Sequence, residues 1–357
     1  MTGFAAETQT GTADIAARHR FDELALGRWM ERNVASFAGP MTLEQFKGGQ
    51  SNPTYKLITP GRSYVLRRKP PGTLLKGAHA VDREARVMSA LGSTGFAVPR
   101  IFGACDDDTV IGTAFFVMEM VEGRIFWDAS LPDVPRHDRP AYFDAMNATI
   151  AALHSTDRHA IGLADYGRPD QYYARQIARW SKQYLEDVEA GRHPDMDRLI
   201  AWLPEHIPAG DEAAITHGDF RIDNMIFHPT EPRIVAVLDW ELSTIGNPLA
   251  DFAYHAMMFR MAPRIVPALG GVDLDAANIP DEQSYLAAYA RRTGRTDLAS
   301  YDYAMAFNFF RFAAIIHGIK GRLLRGTAVS AQAQERADAF PWLAQLAWEQ
   351  AQRAGAR

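Results

Sequence analysis

The chain has 357 residues, 47% apolar and 23% charged, and its 38 basic and 43 acidic side chains leave a net charge of −5; this is the composition of a soluble globular protein long enough for two domains, with no overall field to recruit nucleic acid or a membrane. A single cysteine, Cys105, excludes an intramolecular disulfide and a cysteine-built zinc site and suits a reducing, cytoplasmic setting. No stretch of membrane-spanning length lacks charge, and no basic segment at the start leads into an uninterrupted apolar core.

Residues 1–13, rich in Thr, Gly and Ala without period, read as a poorly ordered lead-in. From Phe21 to Phe37 the residues Leu24, Leu26, Trp29, Met30, Val34 and Phe37 recur near helical spacing. Strand-like segments follow from Thr42 to Leu66, broken by Gly48-Gly49-Gln50-Ser51-Asn52-Pro53 and by Pro60-Gly61. The first break is either a flexible hairpin or a set of backbone N–H groups offered to a phosphate, without the G-x-G-x-x-G pattern. Alternation along Tyr64-Val65-Leu66-Arg67-Arg68-Lys69 puts Val65, Arg67 and Lys69 on one face.

Ala78 to Leu91 reads as a helix whose Val81, Glu84, Met88 and Leu91 share a face. A carboxylate inside an apolar stripe must find a cation or lose several kcal/mol to desolvation, so Glu84 points to a basic partner. Ala114 to Val121 is an apolar run containing Glu119. Beyond Glu122 the reading is nearly all helix: 140–153, 171–189, 196–203, 249–259, 284–292, 302–324 and 331–352, with loops at 131–140, 204–210 and 262–280. His154 ends one of these helices and reads as a satisfied helix-end histidine.

The most informative stretch runs from Ile215 to Glu241. It holds His217-Gly218-Asp219, then Asn224, then an apolar β-branched run from Ile234 to Leu238 that ends in Asp239. Asp219, Asn224 and Asp239, side chains suited to protons and hard cations, would then converge at the ends of short adjacent strands. This spacing resembles the catalytic loop of the protein-kinase superfamily, and its H-G-D form, with no Arg, resembles the aminoglycoside phosphotransferase family. A closer likeness is to the phosphotransferase-like domains fused to acyl-CoA dehydrogenases, through Tyr64-Val65-Leu66-Arg67, Pro70-Pro71-Gly72, His79-Ala80-Val81-Asp82-Arg83-Glu84 and Leu238-Asp239-Trp240-Glu241.

The resemblance implies an α+β, bilobal protein-kinase-like fold: a small β-sheet N-lobe over residues 1–121 and a larger, mainly helical C-lobe over 122–357. It implies ATP and Mg²⁺ as cofactors, with Asp219 accepting the proton of a small-molecule hydroxyl and Asn224 and Asp239 holding the metal. Arg67 stands where the family's phosphate-binding cation stands, usually a lysine, with Lys69 as the alternative, and Glu84 braces it. Ser51 would cover the phosphates, Val65 would meet adenine, and the Glu119 carbonyl and Val121 N–H would read its edge. Asp251 would prop the catalytic loop, or is an ordinary acid favoured by a helix N-terminus. From Tyr303 to Gln334 there is no acid, and Arg311, Arg322 and Arg325 fall on one face of a helix; they either form a solvated basic face or bind an anionic acceptor such as a hydroxyacyl-CoA and disfavour an aminoglycoside. Three rivals are an aminoglycoside-type antibiotic kinase, a metal-dependent hydrolase built on His217, Asp219, Asp223, His228 and Asp239, and an inactive nucleotide-binding scaffold.

Overall fold

The computed structural model describes residues 11–47, 52–71, 80–210, 212–327 and 333–357. They divide into two compact units, one drawn from 1–127, 159–163 and 224–243 and the other from 128–158, 164–223 and 244–357.

The first unit is built on a six-stranded antiparallel sheet of β1 (Thr12–Ala13), β2 (Thr42–Phe46), β3 (Thr54–Ile58), β4 (Ser63–Arg68), β5 (Ile101–Cys105) and β6 (Phe115–Glu119), in the order β1-β2-β3-β4-β6-β5. Thr12 and Ala13, expected to be lead-in, pair with Phe46 and Gln45. On one face of the sheet Tyr55, Leu57, Tyr64, Leu66, Phe115 and Val117 pack against Leu26, Trp29 and Met30 of α1 (Glu23–Asn33). Gly103 permits this approach, since a Cβ there would lie 2.9 Å from Trp29 Cη2. Strand alternation sends Val65 and Arg67 to the other face, where α2 (Val81–Gly92) packs on β5 and β6. The same unit holds the antiparallel hairpin of β8 (Met225–Phe227) and β9 (Ile234–Val237).

The second unit is helical apart from β7 (Ala214–Thr216), which pairs with β10 (Thr244–Gly246). Its helices include α3 (Arg139–Ser155), α4 (Tyr172–Glu186), α5 (Pro194–Glu205), α6 (Pro248–Ala256), α7 (Leu274–Ala277) and α8 (Glu282–Thr293). They continue with α9 (Tyr301–Leu324), α10 (Ala333–Asp338) and α11 (Phe340–Arg353). From Tyr301 to Gly318 α9 is buried on nearly every side and packs against α4, α6 and α11, as a helix that is apolar all round must. The single helix expected over 331–352 is two among the described residues, because Pro341 at the second position of α11 cannot continue a preceding helix. No helix among the described residues is long and apolar enough to cross a membrane.

Candidate active site

In the first unit the site is organised around Arg67. Its Nε lies 3.0 Å from Glu84 Oε2, an ion pair not aligned as a hydrogen bond, while its Nη2 donates to Asp239 Oδ1 at 2.7 Å and lies 3.6 Å from Glu241 Oε2. One guanidinium therefore sits among three carboxylates. Burial pushes the Glu84 carboxyl up, to about 7, while Arg67 and the Trp240 N–H pull it down. Lys69 instead approaches Asp82, at 3.8 Å, so Arg67 is the cation that meets Glu84.

Asp239 follows β9 with φ of +64°, in a region that non-glycine residues rarely adopt. Its Oδ1 is taken by Arg67; among the described residues no hydrogen bond reaches Oδ2, and the side chain is 34% exposed. The β8–β9 pairing puts Asn224 and Asp239 at the same end of the hairpin, where the Leu238 N–H donates to the Asn224 carbonyl at 2.8 Å. An amide and an accessible carboxylate are donors for a hard cation that takes its remaining ligands from water or substrate oxygens, so these residues fit Mg²⁺. Among the described residues no three His, Cys, Asp or Glu are grouped to hold a metal by themselves.

Val65 is buried opposite Met118, and Glu119 pairs with Tyr64 at the end of β6. The Val121 N–H meets no protein acceptor among the described residues. Ser51 lies outside the described residues.

In the second unit the His217-Gly218-Asp219 loop leaves β7. Asp251, on α6 and buried, accepts the His217 N–H at 2.7 Å and the Gly218 N–H at 2.8 Å. His154 Nε2 lies 3.1 Å from the same carboxylate, and its Nδ1 lies 2.7 Å from the Tyr289 hydroxyl. Burial works against the charged form of Asp251, but His154, His217 and the loop N–H groups outweigh it and hold the carboxyl below the usual range. The satisfied helix-end histidine of the sequence reading thus has a definite task. Asp219 Oδ1 accepts from the Tyr254 hydroxyl at 2.6 Å and lies 3.0 Å from Arg221 Nε, which also pairs with Asp223 through Nη2 at 3.3 Å.

The three arginines expected to share a basic face of α9 are placed differently. Arg311 is buried and donates to the Gly218 carbonyl at 2.8 Å. Arg325 is spent on both oxygens of Asp187, at 2.7 and 3.0 Å, and on Glu189. Arg322 is exposed. Equal rotation about a helix axis groups residues without saying what covers them, and other elements cover these differently along the helix.

Sequence reasoning missed Tyr254 and Glu241. Both had a usable signal: Tyr254 lies three residues after Asp251 on one helix, and Glu241 two after Asp239.

A model of the phosphotransferase enzyme family matches residues 42–304. The chain belongs to that family. It is 43% identical over 322 residues to acyl-CoA dehydrogenase family member 10 of Mus musculus, covering 89% of this chain and 30% of that protein. It is 42% identical over 358 residues to acyl-CoA dehydrogenase family member 11 of Gallus gallus, covering 97% of this chain and 45% of that protein. The chain thus spans less than half the length of these relatives. A crystal structure from Ralstonia eutropha, of a protein provisionally named an aminoglycoside phosphotransferase, superimposes with a TM-score of 0.87 at 48% identity, over 94% of this chain and 100% of that one. The α+β architecture, with a sheet in the N-terminal region and helices in the C-terminal region, is that of the kinase-like phosphotransferases.

Proposed function

We propose that this member of the phosphotransferase family moves the γ-phosphoryl group of ATP to a hydroxyl of a small molecule. The observation that carries the reading is the buried Arg67–Glu84 pair beside an Asp239 whose Oδ2 is left for a cation. In this reading Arg67 holds the α- and β-phosphates and Glu84 fixes its direction. Val65 packs on adenine, while the Glu119 carbonyl and Val121 N–H read its edge. Asn224 and Asp239 hold Mg²⁺, which when bound neutralises charge on the phosphates and orients them for in-line transfer. Asp219, with its loop fixed by Asp251, orients the acceptor and takes its proton. Catalysis then consists of positioning and charge neutralisation.

The acceptor in this proposal is a hydroxyacyl-CoA or another anionic alcohol, in a cytoplasmic setting. The relatives named as acyl-CoA dehydrogenases support that direction. ADP release from Mg-ATP should rise in the presence of a hydroxyacyl-CoA and stay at its basal rate with kanamycin. Efficient kanamycin turnover overturns the acceptor class.

Asp239→Ala is expected to abolish the stabilisation that Mg-ATP confers on the wild-type protein in a thermal-shift measurement, because the substitution removes a metal ligand. A wild-type shift in the variant counts against that role.

A further inference from the structure

Arg311 has 6% of its surface exposed and makes no ion pair among the described residues, and its buried Nε has no hydrogen-bond partner. A buried cation without a counter-charge is costly, so its place in the fold asks for a reason. Two of its contacts supply one. Nη2 donates to the Gly218 carbonyl at 2.8 Å, and the guanidinium carbon lies 5.1 Å from the centre of the Tyr254 ring. Gly218 has φ of +83°, a conformation open to glycine, and its N–H is held by Asp251. Both polar backbone groups of the residue before Asp219 are therefore fixed, one by α6 and the other by α9.

Tyr254 then fixes the side chain that the backbone presents, through its 2.6 Å hydrogen bond to Asp219 Oδ1. Burial, and next the charge of Asp219, push the Tyr254 phenol far up, so the hydroxyl remains a donor. We propose that Tyr254 and Arg311 are positioning residues that set the direction of the Asp219 carboxylate, Tyr254 through its hydroxyl and Arg311 through the Gly218 carbonyl and the Tyr254 ring. This rests on the reading of Asp219 as the group that orients the nucleophile. Arg311, assigned from sequence to the acceptor, acts instead behind the base.

The test is a double-mutant cycle on ADP release from Mg-ATP, with water as the acceptor, using Asp219→Asn, Tyr254→Phe and the double variant. Phenylalanine keeps the ring beneath Arg311 and removes only the hydroxyl. Tyr254→Phe should lower kcat about 10-fold with the KM for ATP and the Tm near wild type, and should add little to the loss already caused by Asp219→Asn. Arg311→Met should lower kcat in the same pattern, with Arg311→Lys recovering part of the loss; if Arg311→Met does not fold, the Tyr254 cycle decides alone. Wild-type kcat in Tyr254→Phe, or an equal loss in both backgrounds, overturns the inference while leaving the role of Asp219 standing. Wild-type turnover in Asp219→Asn overturns that role, and this inference with it.

Discussion

Asp219→Asn is expected to lower kcat by at least about 10²-fold while binding of an ATP analogue persists. Asparagine has almost the shape of aspartate, and its amide oxygen can still accept from Tyr254, whose hydroxyl now meets Asp219 Oδ1 at 2.6 Å. What the variant loses is the negative charge that takes up the acceptor's proton. Arg221 loses its partner at 3.0 Å but keeps Asp223 at 3.3 Å, so the substitution does not strand a cation. The residues proposed for nucleotide and metal, Arg67, Asn224 and Asp239, belong to the other unit and keep their own side chains in the variant. Isothermal titration with a non-hydrolysable ATP analogue, run beside turnover, separates the two effects. Turnover at the wild-type rate removes Asp219 from the mechanism.

Much of the fold was legible because its elements carry their own signals. The Val81, Glu84, Met88 and Leu91 stripe named both a helix and its need for a cation, and Arg67 stands 3.0 Å from Glu84. The β-branched run ending in Asp239 announced β9 in the same way. Elements without such a signal were lost. Ile101–Cys105 is five residues with a glycine in the middle, too short to show alternation, yet its pairing with β6 forms a sheet edge. The return of residues 224–243 to the first unit is a fact of topology that local pattern does not encode, since the stretch sits in sequence between β7 and β10 of the second. The contacts of Arg311 and Arg325 were illegible for a related reason. Periodicity placed them on one face, but Gly218 and Asp187, which decide what Arg311 and Arg325 do, lie 93 and 138 residues away. Side chains that act by holding another residue are legible only once that residue's neighbours are known.

Arg67→Met is expected to cost about 3–5 kcal/mol of stability, the loss typical when one partner of a buried pair is removed and the other stays. Here the remainder is severe: Glu84 has a side chain 2% exposed, and Asp239 and Glu241 add their charges to it. With the guanidinium gone, all three carboxylates face each other without their cation, and Glu84 must take a proton or drag water in with it. The double variant Arg67→Met/Glu84→Leu separates structure from function. Replacing both members with apolar side chains removes the stranded charge, and exchanges of this kind are often neutral or stabilising, so its unfolding free energy should return to within about 2 kcal/mol of wild type. If Arg67 holds the phosphates, the repaired protein still lacks the group that meets them, and Mg-ATP should no longer raise its Tm. Chemical denaturation of the three proteins measures the first effect, and thermal shift with and without Mg-ATP measures the second. A double variant that regains both stability and the nucleotide shift makes Arg67 a structural cation only, and moves the phosphate contact elsewhere in the first unit.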